Sequence, residues 1–443
     1  MRPISRRLML GGSAVLAVAA TLAACSNGSS SGSENGVYLL NFKPEAEEAL
    51  KTIASAYKDK TGVEVKIVTA ASGTYQQTLQ TEVAKSNPPT IFNINGPVGL
   101  VTWKDYALDL SGTEFVKALT DTSMALTDES GVVYGSPLGI EGYGLIYNAA
   151  ILNKYFALEG AKVTSVDEIK GFAKLKEVVE DMQAKKADLG IEGAFACTSL
   201  TSGEDWRWQT HLANYPVFYE FRDKGVTDAK EVDLTYSDNY KQIFDLYLNN
   251  STVAPSAAAA KTVTDSMADF ALGKCAFVQN GNWAWSQISE VEGNTVAEGD
   301  IHFMPIYIGV NGEEKSGIAL GTENYLAVNS QVSETAQKAS IDFLTWLLTG
   351  EGAKMLVDNS VVSVSPYPAF SELTPADPLG KETAQFLANK ELYPINWVFQ
   401  TFPSQEFKNQ LGSHLAQYAS GKEDWTAVKD YFVSGWAEGK SKA

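Results

Sequence analysis

Residues 37–67, VYLLNFKPEAEEALKTIASAYKDKTGVEVKI, set the architecture. Val37 to Leu40 is a continuous apolar run of the kind that forms a buried strand. Pro44 then sits near a helix start, with Glu45, Glu47 and Glu48 in the first turns, where acids meet the positive end of the helix dipole. Ala46, Ala49, Leu50, Ile53, Ala54 and Tyr57 recur at helical spacing, Gly62 stops the helix, and Val63, Val65 and Ile67 alternate as a second strand. This is a βαβ unit. The pattern continues: a helix fits Tyr75 to Lys85 and is closed by Pro88-Pro89, and Ile91-Phe92 makes a short strand running into the Gly-rich loop Asn95-Gly96-Pro97-Val98-Gly99. Further helices fit Val166 to Met182, Tyr240 to Leu248 and Thr335 to Leu348. Further strands fit Leu145-Ile146, Ala276 to Val278 and Tyr325 to Val328. There is no internal repeat. The fold class is α/β with a mostly parallel sheet, in two lobes.

Composition narrows the function. The chain has 443 residues, with 35 Lys+Arg against 53 Asp+Glu and a formal net charge of −18. Such an acidic surface repels phosphate backbones and no basic stripe overcomes it, which argues against nucleic acid as a partner. A content of 44% hydrophobic and 11% aromatic residues is that of a globular protein, and the length predicts more than one domain.

The N-terminus reads as an export signal. Arg2, Arg6 and Arg7 precede an uncharged run from Leu8 to Ala24, which is short for a permanent span and ends in small residues before Cys25. Leu22-Ala23-Ala24-Cys25 resembles the lipobox of bacterial lipoproteins, in which the cysteine is lipidated and becomes the first residue after cleavage. Residues 1–24 are then the signal peptide. Residues 25–36, including Ser26-Asn27-Gly28-Ser29-Ser30-Ser31-Gly32-Ser33, are a polar tether between a lipid anchor and the folded part. Ser5-Arg6-Arg7 also resembles a twin-arginine signal, which leaves the export route open. The expected location is the extracytoplasmic face of the cell membrane. Cys197 and Cys275 are equally compatible with a disulfide and with small buried side chains.

Catalytic motifs fail on inspection. Gly28-Ser29-Ser30-Ser31-Gly32 fits the pattern of a hydrolase nucleophile elbow but lies in the tether, with no strand before it or helix after it. Gly142-Tyr143-Gly144 begins a dinucleotide-like pattern, yet Tyr147 stands where the third glycine is required. His211, His302 and His414 are widely separated single residues, which suits structural or surface roles rather than a metal site or triad. No cofactor and no catalytic residue is expected.

Aromatic residues beside polar ones stand out instead. Gly203-Glu204-Asp205-Trp206-Arg207-Trp208 and Asn280-Gly281-Asn282-Trp283-Ala284-Trp285 each put two indoles near carboxylates or amides. A sugar offers an apolar C–H face and an equator of hydroxyls, so its site needs flat aromatic platforms with polar groups at the edge. A spacing of two also puts neighbours on opposite faces of a strand, which makes one of each pair available to the core. After Cys25 the only arginines are Arg207 and Arg222. Sites for anions favour the guanidinium fork, so this scarcity favours a neutral or cationic ligand.

Several ordered motifs now identify a family. Lys60-Thr61-Gly62-Val63-Glu64-Val65 is followed by Asn87-Pro88-Pro89-Thr90-Ile91-Phe92, then by Tyr134-Gly135-Ser136-Pro137 and Glu141-Gly142-Tyr143-Gly144-Leu145-Ile146-Tyr147-Asn148. Phe270-Ala271-Leu272-Gly273-Lys274-Cys275-Ala276-Phe277, Asn280-Gly281-Asn282-Trp283 and the stretch around Thr349-Gly350-Glu351-Gly352 come next. In that order they resemble the family 1 extracellular solute-binding proteins of ABC transporters, the maltose-binding-protein-like group, from about Val37 to the C-terminus.

The resemblance implies two α/β lobes joined by crossover strands, with 37–140 plus 301–358 in the N-terminal lobe and 145–298 plus 362–443 in the C-terminal lobe. It implies a ligand cleft between them that closes by hinge motion. Carried over residue by residue, Glu141 matches a cleft carboxylate, Trp206 after Glu204-Asp205 and Trp283 match aromatic platforms, and Phe42, Lys43, Asn95 and Gly96 match polar contacts of the N-terminal lobe. Trp397 in Tyr393-Pro394-Ile395-Asn396-Trp397 matches a late platform. Gly96 and Asn93 stand where maltodextrin binders carry an acid and an aromatic residue, which puts maltose itself in doubt. The expected function is capture of a sugar, an oligosaccharide rather than a monosaccharide, for delivery to ABC membrane subunits powered by a separate ATPase, by a monomer that is not an enzyme. Two alternatives differ in kind. One is a binder of a polyamine or similar cation, caged by indoles and carboxylates. The other is a lipid-anchored glycoside hydrolase using two carboxylates such as Glu141 and Glu204.

Overall fold

The computed structural model describes residues 36–71 and 73–442; the expected signal, lipidated Cys25 and nearly all of the tether lie outside the described residues. Eleven strands are present among them: β1 Val37–Asn41, β2 Val65–Thr69, β3 Ile91–Asn95, β4 Leu126–Thr127, β5 Val133–Pro137, β6 Glu141–Asn148, β7 Phe277–Gly281, β8 Ile301–Met304, β9 Ser316–Gly321, β10 Asn324–Val328 and β11 Tyr393–Asn396. They form two sheets, ordered β2-β1-β3-β10-β5-β4 and β11-β9-β6-β7, with β8 also paired to β6.

The opening βαβ unit forms as its pattern requires. The helix Glu47–Thr61 buries Leu50, Ile53, Ala54 and Tyr57, and Gly62 ends it at φ 76°, a left-handed conformation suited to glycine. Val37 then pairs in parallel with Val65, and Leu39 with Ile67. The sheets are nevertheless mixed rather than mostly parallel. Among the described residues, parallel pairing between strands is limited to β1–β2, β1–β3 and β9–β11, with isolated parallel bridges from Phe195 to Ser251 and Phe277, and β10 enters the first sheet antiparallel to both β3 and β5. The Gly-rich stretch after β3 is also not a loop. It opens the helix Gly96–Trp103, with Pro97 in the first turn where its missing N–H costs nothing.

Each sheet carries its own core. In the first lobe Val37, Leu39 and Ile91 pack on Phe343, Leu344 and Leu347 from the helix Glu334–Thr349. In the second, Tyr143, Leu145, Phe195, Trp208 and Tyr240 belong to the largest cluster. The expected lobe boundaries shift in two places. Leu145 pairs with Met304 and Glu141 with Gly321, so 301–321 builds the second sheet and the chain returns to the first only at β10. Tyr367 and Phe370 pack into the first lobe, where Tyr367 Oη hydrogen-bonds Ser136 at 2.7 Å and donates to the Pro137 carbonyl at 3.0 Å. Local patterning locates a strand, but the sheet it joins is decided by tertiary packing.

The chain passes between the sheets at 138–140, between β5 and β6, and at Thr322-Glu323, between β9 and β10. Near Val364 a third passage runs beside the first, since the Ile140 N–H donates to the Val364 carbonyl at 2.8 Å. Cys197 and Cys275 are buried free thiols. Among the described residues no helix is long and apolar enough to cross a membrane.

Candidate functional site

The three passages line a small hinge cavity of about 20 Å³, with Lys43, Glu141, Asn282, Thr322 and Ser363 on its walls. Such a volume has room for about one water. Around it the lobes are closely apposed. A Cβ on Gly73 would lie 2.8 Å from the Gly203 carbonyl oxygen, so these two segments meet backbone to backbone. Gly96 faces Gln400, whose amide donates to the Thr322 carbonyl.

One wall is polar. At the end of β1, Asn41 Oδ1 accepts the Lys43 N–H at 3.0 Å and its Nδ2 donates to the Lys43 carbonyl at 2.6 Å, which fixes the lysine backbone. Lys43 Nζ forms an ion pair with Glu141, the first residue of β6, and lies 3.9 Å from Glu45. Burial disfavours the ammonium, but Glu141, Glu45 and Glu323 outweigh it and raise its pKa above the usual lysine value. Half-buried Glu323 is pushed up, mainly by burial, against the pull of Lys408 and an Asn95 hydrogen bond. Phe42 packs edge-to-face on Tyr75, with ring centroids 5.1 Å apart.

The other wall is aromatic. Asn282 Oδ1 accepts the Gly142 N–H at 3.0 Å, and its Nδ2 reaches Ser363 Oγ at 3.3 Å, tying the loop that carries Trp283 to the hinge. Trp283 folds over Gly281, where any Cβ would overlap its ring. Lys43 Nζ lies 5.4 Å from the Trp283 ring centroid, so the two walls touch here. Trp206 is 5.9 Å from Trp283 and leads into a π-helical turn, Arg207–Leu212, in which the Ala213 N–H reaches back five residues to the Trp208 carbonyl. Such turns recur at functional sites. This one sets His211 in the centre of the wall, stacked on Tyr143 at 4.2 Å and 9°, with Trp397 at 5.0 Å and Phe399 at 4.8 Å. Burial, with the nearby Arg207 and Lys408 charges, holds its pKa well below the usual histidine range, so the ring is neutral.

The sequence candidates therefore divide. Lys43 contacts Glu141 and Trp283, and Trp283 packs on Trp206; Trp397 is buried and reaches this group through His211, while Gly96 faces Gln400 and Asn95 hydrogen-bonds Glu323. Glu204 is engaged elsewhere: its Oε2 accepts the Val263 N–H at 2.8 Å at the first turn of the helix Val263–Ala271. The tryptophan pairs do not alternate on strands. Trp206 and Trp208 lie along a helical turn and Trp283 and Trp285 at the start of the helix Ala284–Ser289, while Trp208 is a core residue whose indole donates to the Thr198 carbonyl at 3.0 Å. His211, expected in a structural or surface role, is buried among Tyr143, Trp397 and Phe399, a structural position in the core of the aromatic wall. No motif marks it, and only its place three residues after the quoted Glu204–Trp208 stretch points to it.

A model of bacterial extracellular solute-binding proteins matches residues 52–383. The chain belongs to that family. Solved structures share the two-lobed fold of this solute-binding protein. A chitin oligosaccharide binding protein superposes with a TM-score of 0.71 at 18% identity, covering 92% of this chain and 99% of the other. A sugar transporter protein from Bacillus licheniformis in complex with stachyose gives 0.63 at 17%, covering 91% and 100%. The GacH receptor of Streptomyces glaucescens gives 0.65 at 17%, covering 92% and 98%. No curated protein sequence matches this solute-binding protein at a significant level. Its family places its work outside the cytoplasm.

Proposed function

We propose that this solute-binding protein captures a sugar, an oligosaccharide, in the cleft between its lobes and hands it to the membrane subunits of an ABC importer driven by a separate ATPase. The observation that carries the reading is the aromatic wall of Trp206, Trp283 and Trp397 standing opposite the Lys43–Glu141 pair. Indole faces take the C–H side of a pyranose, while a carboxylate and an ammonium take its hydroxyls. The similar proteins point the same way, being described with chitin oligosaccharide, stachyose and acarbose. Asn95, Gly96 and Phe42 complete the N-terminal side. Ligand touches both lobes only in the shut form, so its differential affinity drives closure. No step of this cycle changes the ligand, and the protein acts as a monomer without enzymatic activity. Lipid on Cys25 holds it at the outer face of the cell membrane. A polyamine is disfavoured, because Lys43 already neutralises Glu141.

The test is a thermal-shift screen of the purified full chain against neutral oligosaccharides and polyamines. A ligand specific to the folded form adds about 2.7 kcal/mol at a hundredfold excess over its Kd. The expected result is a shift with one sugar class that Trp283→Ala abolishes; a shift with polyamines alone overturns the reading.

A further inference from the structure

The scarcity of arginine favours a neutral or cationic ligand, yet one of the two arginines beyond Cys25 is buried directly beside the Trp206 platform. Arg207 is 1% exposed. Its guanidinium lies 3.8 Å from the ring centroid of Trp206, the platform residue beside it. Its hydrogen bonding is poor for a buried charge. Nε donates to Asn280 Oδ1 at 3.2 Å, but that neutral oxygen also accepts the Gly281 N–H at 3.0 Å. Nη1 is buried with no hydrogen-bond partner. Among the described residues no carboxylate forms an ion pair with it: Glu204 and Glu45 act on it only at longer range, and Glu204 is held by the Val263 N–H. Lys408, 4% exposed, is likewise without an ion-pair partner among the described residues; its main electrostatic partner is Glu323.

An uncompensated buried charge is costly, and a guanidinium left with an open N–H is the group best shaped to take an oxyanion. The contrast with Arg222 is direct, since that residue pairs with Asp223 at 2.9 Å on the surface. The π-helical turn beginning at Arg207 supplies an independent sign that this wall is built for more than packing.

We propose that the captured sugar carries an oxyanion, a carboxylate or a sulfate ester, which Arg207 receives at Nη1 while Trp206 and Trp283 hold the adjoining ring. This deepens the sugar reading and rests on it. Trp206 then serves two purposes, stacking one face on the guanidinium to keep its fork fixed and offering the other face to the sugar.

The experiment is isothermal titration of the purified full chain with two matched pairs: a hexuronate oligosaccharide against its neutral methyl ester, and a sulfated oligosaccharide against its desulfated form. The expected result is that the charged member of one pair binds about tenfold or more tightly than its neutral counterpart, the range for a hydrogen bond to a charged group. The pair that shows the gap names the oxyanion. Arg207→Gln closes the gap, Arg207→Lys restores part of it, and Arg222→Gln leaves it unchanged. The wild-type comparison needs no variant, so a folding defect at position 207 does not mask the answer. Equal binding within both pairs overturns the inference and leaves the sugar reading standing, and so does a gap that survives Arg207→Gln. Absence of binding by every sugar overturns both.

Discussion

Lys43 in the first lobe and Arg207 in the second are each a cation packed against an indole, and they are treated in opposite ways. Lys43 has Glu141 in contact, Glu45 at 3.9 Å and its backbone clamped by Asn41. Arg207 has a shared amide oxygen and an open N–H, and burial pushes its pKa down to about 10. The lysine corner is therefore complete within the chain, and the arginine corner is not. A charge closed on itself serves the hinge; a charge left open awaits a partner from outside.

This difference can be broken from either side. The largest effect is expected at Glu141→Ala, which leaves Lys43 buried without its contact partner. Stability falls by about 3 kcal/mol in denaturant titration, whereas Arg207→Gln costs far less because no pair is lost. An equal loss in the two variants removes the contrast. Next comes Gly281→Ala. The new Cβ overlaps the Trp283 ring, so the indole must swing off its seat. The cost is about 2 kcal/mol of strain, and sugar affinity drops in calorimetry as far as it does in Trp283→Ala.

A further test, confined to a pH window, concerns the acid next to Arg207. Asp205 does not pair with it; burial pushes its pKa up to about 6, against the pull of the Gly203 N–H and Gln209. A carboxyl raised in the folded state binds its proton more tightly there than when unfolded. Its contribution to stability is therefore least above pH 6 and grows as pH falls from about 6 to 4, by at most about 1.4 kcal/mol per pH unit. Melting curves of wild type and Asp205→Asn across that window should converge toward low pH if this holds. Parallel curves show that Asp205 has an ordinary carboxyl.

The opening βαβ unit was legible because its apolar spacing and Gly62 are local signals, and Glu141, Trp206 and Trp283 were legible because their motifs sit in recognisable order. What stayed hidden is tertiary. Nothing in the short segments Ile301–Met304 and Ser316–Gly321 says that they pair with β6 rather than join the first sheet. Trp206 and Trp208 look like strand alternation because a spacing of two is all that sequence shows, and a π-helical turn has no composition of its own. His211 lacked a motif, since a neutral stacked imidazole needs neither acid nor metal beside it in sequence.

The meeting of Gly73 and Gly203 adds a mechanical consequence. Both residues have positive φ, 73° and 87°, and the gap between them is narrower than one methyl group. Any larger residue at position 73 works as a doorstop that pushes the Gly203 segment away. How near these two segments stand is thus calibrated by bare backbone.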